Sequence, residues 1–199
     1  MAKFVKLKKL TQNKYLNMFV AEYDLPNGKM NYEFASRKKD DELTILTGKT
    51  SSDAVRAIPY FEKNGKTFVV LIKEYRFAIN KFIYGVPAGL VDNGEKPEEA
   101  MKRELLEEIG AKTLEIKKTE KACFSSAGLS DEAIEFFEAK VELTEKQKLE
   151  PTENITKFVI ELGELNKFLD ENEFCMQSKL QLRSFYYKKK LEKFDNKEM

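Results

Sequence analysis

Apolar and polar residues alternate along residues 16–23, YLNMFVAE, and again along 30–37, MNYEFASR, on either side of Leu25-Pro26-Asn27-Gly28. A period of two broken by a Pro-Asn-Gly turn signal predicts a β-hairpin. A second pair of strands is expected at 54–62, AVRAIPYFE, and 67–74, TFVVLIKE, because Asn64-Gly65 between them suits a type I′ turn. The polar stretch 38–53 between the pairs predicts a boundary. It would separate an N-terminal antiparallel β unit, residues 1–47, from a larger domain, residues 48–199.

After residue 80 the pattern changes. FIYGVPAGLVDNGEKPEEA is loop-rich and leads into a helix expected over 97–109. Pro97 suits a first helical turn, Glu98 and Glu99 complement its dipole, and Gly110 is a natural stop. Strands are expected at 113–124, at 133–143 and in ITKFVIEL from 155, and helices at 163–171 and 176–192. The order predicts an α+β fold, a mixed β-sheet sandwiched between α-helices.

Composition narrows the function. Lys plus Arg number 35 against 34 Asp plus Glu, so with a net charge of +1 no global field draws the chain to nucleic acid or an anionic membrane. No run reaches the roughly 18 apolar residues of a membrane helix, and MAKFVKLKKLTQ lacks a signal-peptide core. A cytoplasmic address is expected. Cys123 and Cys175, too few for a disulfide framework, are expected to be buried reduced thiols. Histidine is absent, which removes the commonest general base and transition-metal ligand and leaves carboxylate chemistry. Carboxylate oxygens select hard cations, Mg²⁺ or Mn²⁺.

The expected helix carries that chemistry. At about 100° per residue, Met101, Leu105 and Ile109 form an apolar stripe, while Glu104, Glu107 and Glu108 gather in an adjacent arc. Like charges at this spacing repel, and a divalent cation would relieve them. An acidic helix face is ordinarily solvated surface. Gly89, Gly94, Glu95 and Arg103 around this one make the spacing specific. Gly48-Lys49-Thr50 is not a phosphate loop, since Leu43 stands where its first glycine is required. SFYYKKKLEKF interleaves aromatics with lysines, a pattern expected to pack the rings inward with the lysines outside.

Residues 89–111, GLVDNGEKPEEAMKRELLEEIGA, resemble the signature box of the Nudix hydrolases at Gly89, Glu95, Arg103, Glu104, Leu105, Glu107, Glu108 and Gly110, with Ala111 smaller than usual. The resemblance implies Mg²⁺, or Mn²⁺, held by Glu104, Glu107 and Glu108 with a carbonyl near Ala88. It implies Glu107, Glu108 and Arg103 as catalytic residues, and Glu95 and Gly110 as structural ones. The activity implied is hydrolysis of a nucleoside diphosphate linked to another group, by metal-activated water and without a protein nucleophile.

Lys73-Glu74-Tyr75-Arg76 and Val86-Pro87-Ala88-Gly89 resemble the ADP-ribose pyrophosphatase branch, although Gly85 and Ala127 depart from its usual Glu and Pro. ADP-ribose, cleaved to AMP and ribose 5-phosphate, is the expected substrate. Another nucleotide sugar such as GDP-mannose is the alternative, as is a non-catalytic nucleotide-sensing module. Arg56, Arg76, Gly89 and Glu132 are candidates for binding substrate. Glu153, ahead of Glu150, is the candidate base. The N-terminal unit resembles the extra sheet through which this branch dimerises, so a homodimer is expected, with no nucleic-acid or membrane partner.

Overall fold

The computed structural model describes residues 1–144 and 146–195. Its strands are β1 (Lys3–Lys9), β2 (Asn17–Leu25), β3 (Gly28–Ser36), β4 (Ala54–Lys63), β5 (Lys66–Arg76), β6 (Lys81–Gly85), β7 (Ala88–Leu90), β8 (Ala111–Phe124), β9 (Ala133–Leu143) and β10 (Ile155–Glu161). Its helices are α1 (Thr44–Thr47), α2 (Pro97–Ile109), α3 (Leu162–Glu171) and α4 (Met176–Asp195), with a 3₁₀ turn at Phe77–Ile79. The chain divides into two compact units, Met1–Ala54 with Lys121–Glu135, and Val55–Glu120 with Phe136–Met199.

In the first unit β1, β2 and β3 form an antiparallel sheet, with Leu25 opposite Gly28 across the expected turn. Phe19, Ala21, Phe34 and Leu43 make its core. The stretch 38–53, expected only as a polar boundary, contains α1 and buries Leu43 completely. β1 was not marked by the hydrophobic pattern, because only Phe4, Leu7 and Lys9 of KFVKLKK are even half-buried and a register shift between Phe4 and Lys6 breaks the period of two.

The larger sheet runs β10-β5-β4-β9-β8, with β6 also pairing with β5 and β7 with β4. Asn64 and Gly65 turn from β4 to β5 with φ of 52° and 73°, the two positive values a type I′ turn requires. β5 is buried on both faces. Val70 and Ile72 join the core beneath α2, while Val69 and Leu71 join the core beneath α3 and α4. Successive strand residues point to opposite sides, so the run VVLI feeds two cores at once. This is the expected sheet between helices. The region after residue 80 is more ordered than its turn residues suggested, since β6 and β7 continue the sheet there. Among the described residues no helix is long and apolar enough to cross a membrane.

Both cysteines correct the expectation of buried thiols. Cys123 is exposed and Cys175 intermediate. Cys123 lies near the end of β8, last in its sheet, where few neighbours cover it. Phe185 and Tyr186 of α4 pack inward as expected, but Tyr187 and Phe194 are more than half exposed. Three consecutive aromatics cannot share one helix face.

Candidate active site

α2 is built by its sequence. Pro97 occupies the first turn, and the Glu99 carboxylate accepts the Lys96 N–H at 3.3 Å. Gly110 ends it in the left-handed region at φ 62°, where a side chain would be strained, and donates to the Leu106 carbonyl at 3.0 Å. Met101, Leu105 and Ile109 are fully buried, contributing roughly 1.5–3 kcal/mol each. They fix the roll of the helix, and with it the glutamates.

Glu108 is 2% exposed and Glu104 8%. The Ala88 N–H donates to Glu108 Oε2 at 3.0 Å, so β7 presents an amide rather than leaving the carboxylate wholly unpaired. Burial pushes the Glu108 carboxyl well above its ordinary range, the charges of Glu104, Glu74 and Glu153 add to this, and the Ala88 amide opposes it. Glu104 is also raised, by burial first, with Arg103 opposing.

Arg103 uses all five of its N–H groups. Nε and Nη2 grip both oxygens of Glu95 at 3.1 Å, and Nη2 also donates to the Leu90 carbonyl at 3.1 Å. Nη1 donates to Glu104 at 2.7 Å and to Glu107 at 3.2 Å. The guanidinium thus ties the 90–95 loop to the acidic face, and it holds the Glu95 carboxyl below its usual range. Gly89 is the closest approach. A Cβ there would lie 1.8 Å from Glu104 Oε1, so the glutamate occupies the space a side chain would need.

The loop before β10, and β10 itself through Lys157, also hold α2. Lys148 N–H donates to the Glu107 carbonyl at 2.8 Å, the Gln147 amide to the Glu108 carbonyl at 2.6 Å, and Lys157 to the Ile109 carbonyl at 2.8 Å. The helix's last carbonyls are thereby satisfied. Glu153, half-buried, accepts the Glu150 N–H at 2.8 Å within this loop, and its charge reaches Glu74, Glu104 and Glu108. Glu150 is exposed.

Arg56 and Arg76 line one recess with Glu74, whose free volume of about 10 Å³ holds no more than about one water. Arg76 pairs with Glu74 at 2.8 Å, while Arg56 donates to Cys175 Sγ at 2.9 Å and Ser178 Oγ at 3.3 Å. Glu74 is itself raised by burial, against the pull of Arg76 and Arg56. Glu132 belongs to the first unit, where it accepts from the Ser125 hydroxyl at 2.7 Å and faces Arg37 at 3.7 Å. Sequence reasoning missed Glu74, Cys175 and Ser178 as members of the site. Glu74 stood within the quoted Lys-Glu-Tyr-Arg run, but its burial depends on β6 and β10 flanking β5.

The donor set fits a hard dication by its chemistry, with oxygen ligands, two of them buried and mutually repelling. As the side chains stand, no three Asp, Glu, Cys or His groups among the described residues close around one point. Glu104 and Glu107 lean on Arg103 instead, and would have to swing from it to share an ion with Glu108.

A family model of the NUDIX domain matches residues 50–177. A Caenorhabditis elegans protein named as a nudix hydrolase is 32% identical over 139 residues, covering 65% of this chain and 62% of its own length. An ADP-ribose pyrophosphatase of Bacillus subtilis (strain 168) is 27% identical over 173 residues, covering 86% of this chain and 84% of its own. A crystal structure of an ADP compounds hydrolase superposes with a TM-score of 0.72 at 16% identity, covering 96% of this chain and 94% of the other. At that identity the superposition speaks for the fold alone.

Proposed function

The chain belongs to the Nudix hydrolase family, and from that premise we propose that it cleaves the pyrophosphate of ADP-ribose to AMP and ribose 5-phosphate, using Mg²⁺ or Mn²⁺ held by Glu104, Glu107 and Glu108. Glu108 carries the reading. A carboxylate 2% exposed, raised by burial and by its acidic neighbours, is a costly arrangement for a fold unless a positive charge is meant to join it. The similar Bacillus subtilis protein, named as an ADP-ribose pyrophosphatase, supports the choice of substrate.

When bound, the dication supplies neutralisation of the diphosphate oxygens and a lowered pKa for the attacking water. The residues do the rest. Ala88 N–H fixes Glu108, and Arg103 holds the 90–95 loop against α2 while limiting the swing of Glu104 and Glu107. Glu153 takes the proton from water as its oxygen attacks phosphorus and the anhydride bond breaks, the bonding pair leaving with the second phosphate. Arg56 and Arg76, released from Cys175, Ser178 and Glu74, offer forked donors to the diphosphate.

The test is release of AMP and ribose 5-phosphate with and without Mg²⁺, beside Glu107→Gln. Product formation is expected only with the dication, and a fall of at least about 10²-fold in the variant. Undiminished turnover by Glu107→Gln would overturn the metal assignment. We also propose that residues 1–47 form a homodimer interface. Light scattering is expected to read twice the 23.1 kDa chain mass, and a monomer at micromolar concentration contradicts this.

A further inference from the structure

The second unit holds a recess at the N-terminal end of α3, with a free volume of about 140 Å³, lined by Lys66, Thr67, Glu161, Gly163, Tyr186 and Lys190. One water needs roughly 10–15 Å³ of such volume, so the recess has room for a small molecule. It is remote from the acidic face of α2. Val69 and Leu71 of β5 face α3 and α4, and Thr67 shares that side by alternation, whereas the core beneath α2 takes Val70 and Ile72. Thr67 and Arg76 stand at opposite ends of β5, roughly 30 Å of strand apart.

Thr67 is 3% exposed and Tyr186 8%. Neither hydroxyl has a hydrogen-bond partner among the described residues, and neither is among the unpaired oxygens closed to water, so both open onto the recess. Lys190 Nζ lies 5.0 Å from the centre of the Tyr186 ring and makes no ion pair among the described residues. Lys66 is engaged with Glu161 at 2.8 Å. Two lysines against one glutamate leave the lining with a net charge of +1. α3 adds to it, because no side chain caps its start and the amides of a first helical turn have no partner inside the helix. Gly163 carries no side chain to cover those amides, and a Cβ there would meet nothing nearer than Glu161 Oε1 at 3.7 Å.

We propose that this recess binds a phosphate group, as inorganic phosphate or as the end of a short phosphomonoester. An unpaired ammonium, two free hydroxyls and an uncapped helix start are donors that converge where the only carboxylate, Glu161, is already held by Lys66. A cation is repelled by Lys190 and the positive end of α3, and a neutral molecule leaves Lys190 unpaired. The inference depends neither on the carboxylates of α2 nor on residues 1–47.

Inorganic phosphate and, separately, methyl phosphate are titrated into the full chain without divalent metal, at constant ionic strength, and followed by methyl NMR. The Leu162 and Thr67 methyls are expected to shift and saturate, while the Ala88 methyl beside Glu108 reports separately on any binding near α2. The tighter of the two anions identifies the source of the phosphate. Lys190→Met and Thr67→Val keep side-chain bulk and remove one donor each, so each should weaken the Leu162 response at least about tenfold. Glu161→Gln removes the competing charge and should tighten it about threefold or more. A Leu162 methyl unmoved by either anion, or affinities unchanged in both Lys190→Met and Thr67→Val, would overturn the proposal.

Discussion

Replacing Gly89 by Ala probes the tightest approach in the site. The new Cβ would meet Glu104 Oε1 at 1.8 Å, Cδ at 2.0 Å and Cγ at 2.6 Å, so to reach ordinary contact near 3.4 Å the carboxylate must retreat by about 1.6 Å. The backbone can tolerate alanine, since Gly89 is not among the positive-φ residues. The effect therefore falls on the side chain of Glu104 and its 2.7 Å bond to Arg103. Overpacking of this kind costs about 1–3 kcal/mol, or a fall in Tm of about 2–12 °C for a chain of this size. Misplacing a reacting group by more than 1 Å costs about 10² in rate. Initial rates of AMP release and thermal unfolding, measured together, should show kcat/KM falling far more than stability. Gly163→Ala is the control, because its Cβ meets nothing nearer than 3.7 Å and both quantities should stay close to native. A Gly89→Ala protein with native rate and native Tm would show that Glu104 does not stand where the clash requires.

Arg103→Lys keeps the charge but cannot span Glu95, the Leu90 carbonyl, Glu104 and Glu107 together, so kcat/KM is expected to fall about 10- to 100-fold with a lower Tm. Full activity in this variant would reduce Arg103 to a surface charge. Glu153→Gln should lower kcat by about 10² or more while Glu150→Gln stays near native, read from saturating-substrate rates. The reverse order would move the base to Glu150.

Much of this was legible in the chain because it depends on local order. Pro97, the apolar stripe and Gly110 define α2 without reference to anything distant, and the helix spans the expected residues. Asn64-Gly65 likewise sets the β4–β5 register through its own dihedral angles. What escaped notice is long-range. Glu74 became part of the acidic site only when its strand was buried between neighbours, and Ser178 reaches Arg56 from 122 positions away. β6 and β7 were hidden by their turn-like residues, since extended backbone there is specified by pairing with β5 and β4. Cys123 misled because cysteine's preference for the interior is a statistical tendency, and an edge strand overrides it.

The central claim is that the buried acidic edge of α2 exists to receive a dication, and Glu108→Gln tests it most directly through metal-free stability and Mn²⁺ binding. A carboxyl whose pKa is raised by folding stabilises fully below its unfolded value and loses that contribution as pH rises through its folded value. Metal-free native protein should therefore lose Tm relative to Glu108→Gln as pH rises from about 4.5 toward neutrality. Added Mn²⁺ should raise the native Tm and leave the variant unchanged. A variant that is no more stable than native without metal, and that binds Mn²⁺ as tightly, would contradict the account.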